Sequence, residues 1–585
     1  MFVLSIVVIL DAGNCALAFL NLHKLNIEIM RSIFALLVLV ALGTVSCVTK
    51  DAKTETVSTD APFTWENANI YFLLTDRFNN GNSNNDVNFN RTKETGELRG
   101  FMGGDIKGIT NKIKEGYFTD LGINAIWFSP VVEQIHGSVD EGTGNTYGFH
   151  GYWAKDWTAL EPNFGNEEDL AELVQTAHEH GIRIVLDVVI NHTGPVTAQD
   201  PVWGDDWVRT KPQCRYEDYE STVTCTLVEN LPDIKTESVK EVELPKALTE
   251  KWADEGRLEK EMDELDSFFS ATGYPRTPRY YIIKWLTDYI RKYGIDAFRL
   301  DTVKHTEEDV WADLWKEAVK AFADWKAANP DLVIDNNEFY AFGEVYNYGV
   351  SGGRWFDFGD RKVDYFAHGM QGLINFEFKY DATKSYEELF AKYSEAINGP
   401  LKGQIIINYA TSHDDGGPFD KQRLKTIEAG TKLLLCPGSS QVYYGDETGR
   451  SLEIEGTVGD ATLRSFMNWD ELANNVDVNG VSVKEIHKHW QKLGKFRAAH
   501  PAVGAGVHQQ ISAEPYYFKR EYIQEDIKDK VIVGLDLEVG HKEISVIGVF
   551  DNGDVLKDYY SGKTVTVKGG KVSVDTEFDI LLLGF

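Results

Sequence analysis

Eight short apolar runs, at residues 70–74, 125–128, 182–190, 295–300, 339–342, 373–378, 405–407 and 442–444, recur along this chain with helix-like segments between them. Runs that stay apolar at successive positions read as strands buried on both faces. Eight of them in strand–helix alternation predict an α/β fold, a parallel sheet closed into a (β/α)8 TIM barrel. The helices carry their own punctuation. Residues 167–180 open on acidic side chains and run into Gly181, and residues 280–293 end at Gly294; glycine is the residue that most readily closes a helix. The gap after His192 is too long for an ordinary connection, since about 85 residues precede the helix near Tyr280. It holds Cys214, Cys225, Trp203, Trp207 and an acidic helical patch at 258–269, which predicts an inserted subdomain at the barrel mouth. After the helix-like 483–498 the pattern changes to short alternating strands, as expected of a small antiparallel β domain.

The N-terminus reads as export machinery rather than fold. Read from Met30, the stretch MRSIFALLVLVALGTVSC has a charged start, an apolar middle and a cysteine end, the order of a bacterial lipoprotein signal, with the apolar part too short to span a bilayer. Met30 is the expected start and Cys47 a candidate for lipid anchorage, with cleavage and release as the alternative. The expected organisation is a signal over 1–47, a linker over 48–64, a barrel over 65–190 and 279–499, an inserted subdomain over 191–278 and a C-terminal β-sandwich over 500–585. Beyond Cys15 and Cys47, three cysteines remain. None has metal-site spacing; Cys214 and Cys225 lie close in a polar segment and are expected to pair in an oxidising compartment, whereas Cys436 reads as a small buried hydrophobe. A net charge of −32 repels phosphate backbones and anionic membranes, so nucleic acid is excluded as a partner and a neutral substrate suits the chain better. The 14 Trp and 26 Tyr provide flat surfaces suited to sugar rings, though most belong in a core.

Four stretches place charged residues just after apolar runs: DVVINH (187–192), FRLDTVKH (298–305), FGEVY (342–346) and SHDD (412–415). At strand ends these residues would line a barrel mouth, and two or three carboxylates there suit glycosidic chemistry. Cleavage with retention needs one carboxylate as nucleophile and one protonated carboxyl to donate to the leaving oxygen. Arg299 precedes Asp301 by two residues, so on a strand both share one face and the cation keeps the carboxylate ionised. Phe342, Val345 and Tyr346 give Glu344 an apolar setting that would raise its pKa.

These segments, with HGYWAKDW (150–157), LPDI (231–234) and QVYYGDE (441–447) in the same order, resemble the α-amylase family of retaining α-glucan hydrolases and transglycosylases, from about residue 70 to 470. The resemblance implies Asp301 as nucleophile, Glu344 as general acid/base and Asp414 as the third carboxylate. It implies His150, His192 and His413 as contacts to sugar hydroxyls, with Tyr152 as an aromatic platform and Trp153 beside it. Asp187 and Arg299 would organise the nucleophile, and Lys304 and His305 would line the leaving-group side. Ser412 replaces the family's frequent Asn, which leaves His413 and Asp414 with a weaker motif and argues against chloride activation. Starch or maltooligosaccharide is the implied substrate, and the protein is expected to be a monomer.

The same resemblance implies Ca2+ at two places. One would join barrel to subdomain through Asn191, Asp233 and the His305 carbonyl. The other, known from the cyclodextrin-forming branch, would use Asn80, Asn82, Asn85, Asp86, Gly103 and Asp105; oxygen ligands of both kinds suit Ca2+. Cyclodextrin-forming relatives carry two further β domains and cyclodextrin-degrading ones a domain before the barrel, so the expected activity is endo-hydrolysis of α-1,4-glucan. A transglycosylating or cyclodextrin-acting enzyme is the runner-up. A glucan-binding protein on the same scaffold would be expected to have lost its carboxylates, and a metal-dependent barrel enzyme is opposed by the Arg299 charge beside Asp301.

Overall fold

The computed structural model describes residues 62–524 and 527–585. The expected signal, Met30, Cys47 and most of the linker lie outside the described residues. Eight parallel strands form the closed barrel: β1 (Asn69–Leu73), β2 (Ala125–Phe128), β3 (Arg183–Val188), β4 (Ala297–Leu300), β5 (Tyr340–Gly343), β6 (Gly372–Asn375), β7 (Ile405–Tyr409) and β8 (Ser439–Tyr443). Each pairs with its sequence neighbours and β8 closes on β1. All eight expected runs are strands, with ends displaced by a few residues because an apolar run continues into the loops that cover the barrel. Every residue of these strands is buried, as a sheet clothed by helices on one side and filled on the other requires. The filling is aromatic in part: Phe72 stacks on Trp127 at 3.7 Å between ring centres, and Phe342 meets Trp127 edge-on at 5.6 Å.

The helices form where the sequence punctuates them. Helix α1 (Ile106–Lys114) starts on the Asp105 side chain, which accepts from Gly108 N. Helix α2 (Glu167–Glu179) opens with a reciprocal cap between Asn166 and Asp169, which satisfies amides that the first turn leaves free. Helix α3 (Pro278–Tyr293) begins with proline, whose missing N–H costs nothing there, and ends at Gly294 with φ +76°. Helices α4 (Glu308–Ala328), α5 (Tyr386–Asn398), α6 (Thr426–Leu435) and α7 (Val483–Ala499) complete the main outer layer. No helix among the described residues is long and apolar enough to cross a membrane.

Between β3 and α3 the chain makes a two-stranded ladder of Val208–Arg209 with Asp233–Ile234, then helices Lys246–Asp254 and Leu258–Thr272. A disulfide joins Cys214 to Cys225. This segment is moored by Asp156, a buried residue on the ladder strand Ala154–Leu160, which holds Lys251 and Arg257 and accepts from Trp252 Nε1 at 3.1 Å. Burial raises the Asp156 pKa, but the two cations outweigh it and leave the carboxyl below its usual range.

The C-terminal region is a six-stranded sheet in the order β9 (Val507–Ala513), β10 (Tyr516–Gln524), β11 (Ile527–Gly534), β16 (Leu581–Gly584), β13 (Val555–Asp558), β14 (Thr564–Thr566). A separate pair, β12 (Gly540–Ser545) with β15 (Lys571–Thr576), lies apart from that sheet. Strand alternation divides its side chains: Ile532 and Leu583 join the region's own core, while Val531, Val533 and Leu582 join the barrel's. Buried Arg520 donates across this junction to the carbonyls of Leu435 and Val503.

One close approach fixes α7 on the barrel. A Cβ on Gly494 would lie 1.9 Å from Leu121 O. Alanine would gain about 1 kcal/mol in helix propensity, but the backbone oxygen cannot yield as a side chain could, and overpacking of this kind costs about 1–3 kcal/mol or more. Gly494→Ala is therefore expected to lower the thermal unfolding midpoint; a rise would show that α7 can shift freely.

Candidate active site

Parallel register puts Arg299 of β4 beside Asp187 of β3 on one side and Phe342 of β5 on the other. Its guanidinium, 1% exposed, then gathers three carboxylates at the strand ends. Nη1 lies 3.0 Å from Asp187 Oδ1 and 2.7 Å from Asp301 Oδ1, and Nη2 lies 3.0 Å from Glu344 Oε2. The second oxygen of Asp187 accepts from Trp127 Nε1 at 2.9 Å and from the Tyr152 hydroxyl at 2.8 Å. The loop leaving β4 is laced to the end of β5: Glu344 N donates to Leu300 O, Val303 N donates to Glu344 O, and Thr302 N donates to Glu344 Oε2 at 3.0 Å. Thr302 adopts φ +48°, a region that a β-branched residue enters only when its surroundings impose it.

Burial pushes the Glu344 carboxyl up to about 8, with Arg299 opposing and Asp301 reinforcing the shift. Burial likewise raises Asp187, against Arg299. Asp414 behaves oppositely. Burial disfavours its charge, but His413, Arg464 and Arg299 outweigh that and hold it far below the usual carboxylate range. Its Oδ1 is 2.5 Å from Arg464 Nη2 and its Oδ2 is 2.8 Å from His413 Nε2, while the side chain stays 40% exposed.

Aromatic rings join the two halves of this cluster. Tyr152 stacks on His413 at 5.3 Å and on His150 at 5.8 Å. His192 Nε2 donates to Tyr152 O at 3.1 Å, and burial keeps both His150 and His192 neutral by lowering their pKa. Trp153 stands behind His150, buried with Ile135 and Leu231, and reaches the site only through the edge of that imidazole. On the far flank, His305 Nδ1 donates to Thr222 O at 2.9 Å, inside the loop closed by Cys214 and Cys225, and burial takes its pKa down to about 4. Lys304 Nζ sits 5.5 Å from the ring of Tyr216 and 5.2 Å from that of Tyr346, and both rings are exposed.

With the fold and this constellation in place, comparison with known proteins is decisive. The family model described as "Alpha amylase, catalytic domain" matches residues 72–506. The chain belongs to the α-amylase family. It is 36% identical over 542 residues to the periplasmic α-amylase of Escherichia coli K12, covering 81% of this chain and 73% of that one. It is 26% identical to an α-amylase of Niallia circulans, over 95% of this chain and 96% of the relative. A cyclomaltodextrin glucanotransferase of Thermoanaerobacterium thermosulfurigenes is 25% identical over 77% of this chain and 58% of its own length. Among solved structures, an Anoxybacillus α-amylase superposes with TM-score 0.60 at 23% identity, over 89% of this chain and 99% of that one. The cyclomaltodextrin glucanotransferase CldA, which has a three-domain ABC distribution, superposes with TM-score 0.59 at 19% identity, over 88% and 99%.

Within this α-amylase-family glycoside hydrolase, two residues escaped the sequence reading. Trp127 is the third residue of an unremarkable apolar run, and Arg464 lies 50 positions beyond Asp414 with no local pattern. The two expected calcium positions differ. At the first, Arg209 pairs with Asp233 at 2.9 Å and Asn191 Oδ1 accepts from the Thr306 hydroxyl at 3.4 Å, yet burial still drives the Asp233 carboxyl up, so Arg209 alone does not compensate its charge. At the second, Asn85 Oδ1 is buried without a partner, and a Cβ on Gly103 would strike Asn80 Nδ2 and Asp86 Oδ1. Asn85 Oδ1 is the oxygen here that is open to a hard cation, while Asp86 Oδ1 accepts from Asn80 Nδ2 at 2.9 Å. Asp105 is instead engaged by the amides of Gly81, Asn82 and Gly108, and Asn82 Oδ1 by Asn84 N. Among the described residues no three His, Cys, Asp or Glu side chains cluster for a metal; the Asn-rich turn offers one carboxylate, Asp86, beside its amide oxygens.

Removing the shared cation would leave buried carboxylates uncompensated, at a cost of about 3–5 kcal/mol. In Arg299→Met the pKa values of Asp187 and Glu344 rise further, so stability is retained at low pH and lost as pH rises through those values. The melting temperature deficit against wild type is expected to shrink between pH 8 and pH 5; a deficit independent of pH would refute the electrostatic account.

Proposed function

We propose that this chain is an α-amylase that cleaves internal α-1,4-glucosidic bonds of starch and maltooligosaccharides with retention of the anomeric configuration. The observation that carries the reading is the sharing of one guanidinium by Asp301 and Glu344. Two carboxyls brought to one cation, with one of them driven toward its neutral form, suit a nucleophile and an acid. Glu344, kept protonated by burial, gives its proton to the leaving oxygen while Asp301, paired with Arg299, attacks the anomeric carbon. The covalent glycosyl intermediate is then hydrolysed by water that Glu344 deprotonates. Asp414, held ionised, binds sugar hydroxyls and stabilises the developing oxocarbenium charge. Tyr152 forms the platform, with neutral His150 and His192, and His413, bonding hydroxyls, while Lys304 and His305 line the leaving-group side.

A transglycosylating or cyclodextrin-acting variant is the second reading. It is favoured by the exposed rings of Tyr216 and Tyr346 around Lys304, surfaces on which a second sugar could outcompete water. A product profile on soluble starch, maltooligosaccharides, pullulan and cyclodextrin separates the two. Export is supported by the periplasmic relative, by the signal-like sequence before Cys47 and by the Cys214–Cys225 disulfide, a bond typical of oxidising compartments. Lipid anchorage at Cys47 and a monomeric state complete the proposal.

Asp301→Asn and Glu344→Gln should each lower starch hydrolysis by about three orders of magnitude or more with the fold intact, and the first product seen by NMR should be the α anomer. An initial β product would exclude retention. Because Glu344 must carry its proton, kcat/KM should hold through neutrality and fall as pH rises through about 8; an alkaline limb near pH 5 would assign the acid elsewhere. Calcium is expected to raise the melting temperature through Asn80, Asn85, Asp86 and the Gly103 carbonyl, and Asp86→Ala should abolish that rise. An identical response in wild type and variant would place the ion elsewhere.

A further inference from the structure

The fourth charged stretch contains a carboxylate with no part in the chemistry above. Asp415 follows Asp414 directly, yet its side chain turns into the protein and is buried. Lys379 Nζ forms an ion pair with its Oδ2, the Tyr409 hydroxyl donates to the same oxygen at 2.9 Å, and Gly417 N donates to Oδ1 at 3.1 Å. Lys379 is buried as well, on the short helix Phe378–Asp381 that leaves β6, and Tyr409 is the last residue of β7. An ion pair withdrawn from water in this way adds little stability over an apolar pair of the same size, so stability does not explain it.

Its location does. Asp414 is gripped on one flank by Arg464 and His413, and its own side chain is the most exposed of the site's carboxylates. On the other flank Asp415 ties the backbone down, within a loop closed by Phe419 N donating to Ala410 O at 3.0 Å. That tie reaches the acid's side of the barrel through a chain of rings. Tyr409 meets Phe376 edge-on at 5.6 Å, and Phe376 meets Tyr346, two residues after Glu344, at 5.1 Å. The ends of β5, β6 and β7 are thereby locked together around Asp415.

We propose that Lys379 and Asp415, with Tyr409, are positioning residues that set the backbone of Asp414 so that its carboxylate meets the distorted sugar. The inference rests on the stabilising role given to Asp414 above. Since a carboxylate displaced by about 1 Å loses much of its effect, the loss should appear in turnover rather than in ground-state binding.

The test is a mutant cycle with maltoheptaose as substrate. Lys379→Met combined with Asp415→Leu replaces the buried pair by apolar side chains, avoiding an unpaired charge. Relative to wild type, kcat is expected to fall about 30- to 100-fold with KM within about threefold. In an Asp414→Asn background the same pair of changes should lower kcat by no more than about twofold, because the residue being positioned is already lost. An unchanged kcat in the wild-type background, or an equal fall in both backgrounds, overturns the inference and leaves the role of Asp414 standing. Wild-type turnover in Asp414→Asn alone overturns that role, and the inference with it. Should the apolar pair fail to fold, Tyr409→Phe removes one hydroxyl only. Its expected loss is about fivefold in kcat in the wild-type background and none in Asp414→Asn; equal effects in both would again overturn the inference.

Discussion

The guanidinium of Arg299 is the constraint on which this molecule's site depends. Three carboxylates from three strand ends cannot be buried together without a cation among them, because each desolvated charge costs several kcal/mol. Arg299 meets Asp187, Asp301 and Glu344 at 3.0, 2.7 and 3.0 Å, and a planar fork with fixed donors can do so where a lysine could not. The compensation is incomplete. One cation keeps Asp301 beside it while Glu344 is still driven toward its neutral form. The rise of Glu344 follows from this shortage of positive charge.

Much of this architecture is legible in the sequence, for a physical reason. Strands enclosed by helices are apolar at every position, so the eight barrel strands stand out as continuous runs, and residues just beyond them fall at the mouth. Asp187, Arg299, Asp301 and Glu344 are readable on that account, being within one or two residues of a strand. What is not readable depends on contacts across the chain. Trp127 sits inside a run like any core residue, and Arg464 reaches Asp414 from a turn 50 positions away. Trp153 shows the reverse error. Its neighbours in HGYW line the cleft, but its own ring enters the small core with Ile135 and Leu231.

The two expected calcium positions meet their oxygens with different surroundings. Asn191 and Asp233 stand in familiar order, yet Arg209 from the neighbouring strand supplies Asp233 with a positive charge. The Asn-rich turn at 80–86 keeps an unpartnered amide oxygen and a glycine against which Asn80 and Asp86 close. Sequence order is common to both places. Only the fate of each oxygen distinguishes them.

The three hydrogen bonds that lace the exit of β4 to the end of β5, with Thr302 wound left-handed between them, bear on motion as well as geometry. Any fluctuation that carries the backbone around Asp301 must carry Glu344 along, since Leu300, Thr302 and Val303, which flank Asp301, are all bonded to Glu344. The pair is a rigid jaw. Asp414, at the end of another strand, is held by a different set of contacts, Arg464 and His413 on its own side chain and the Lys379–Asp415 pair behind it, so the cleft has two separately braced walls.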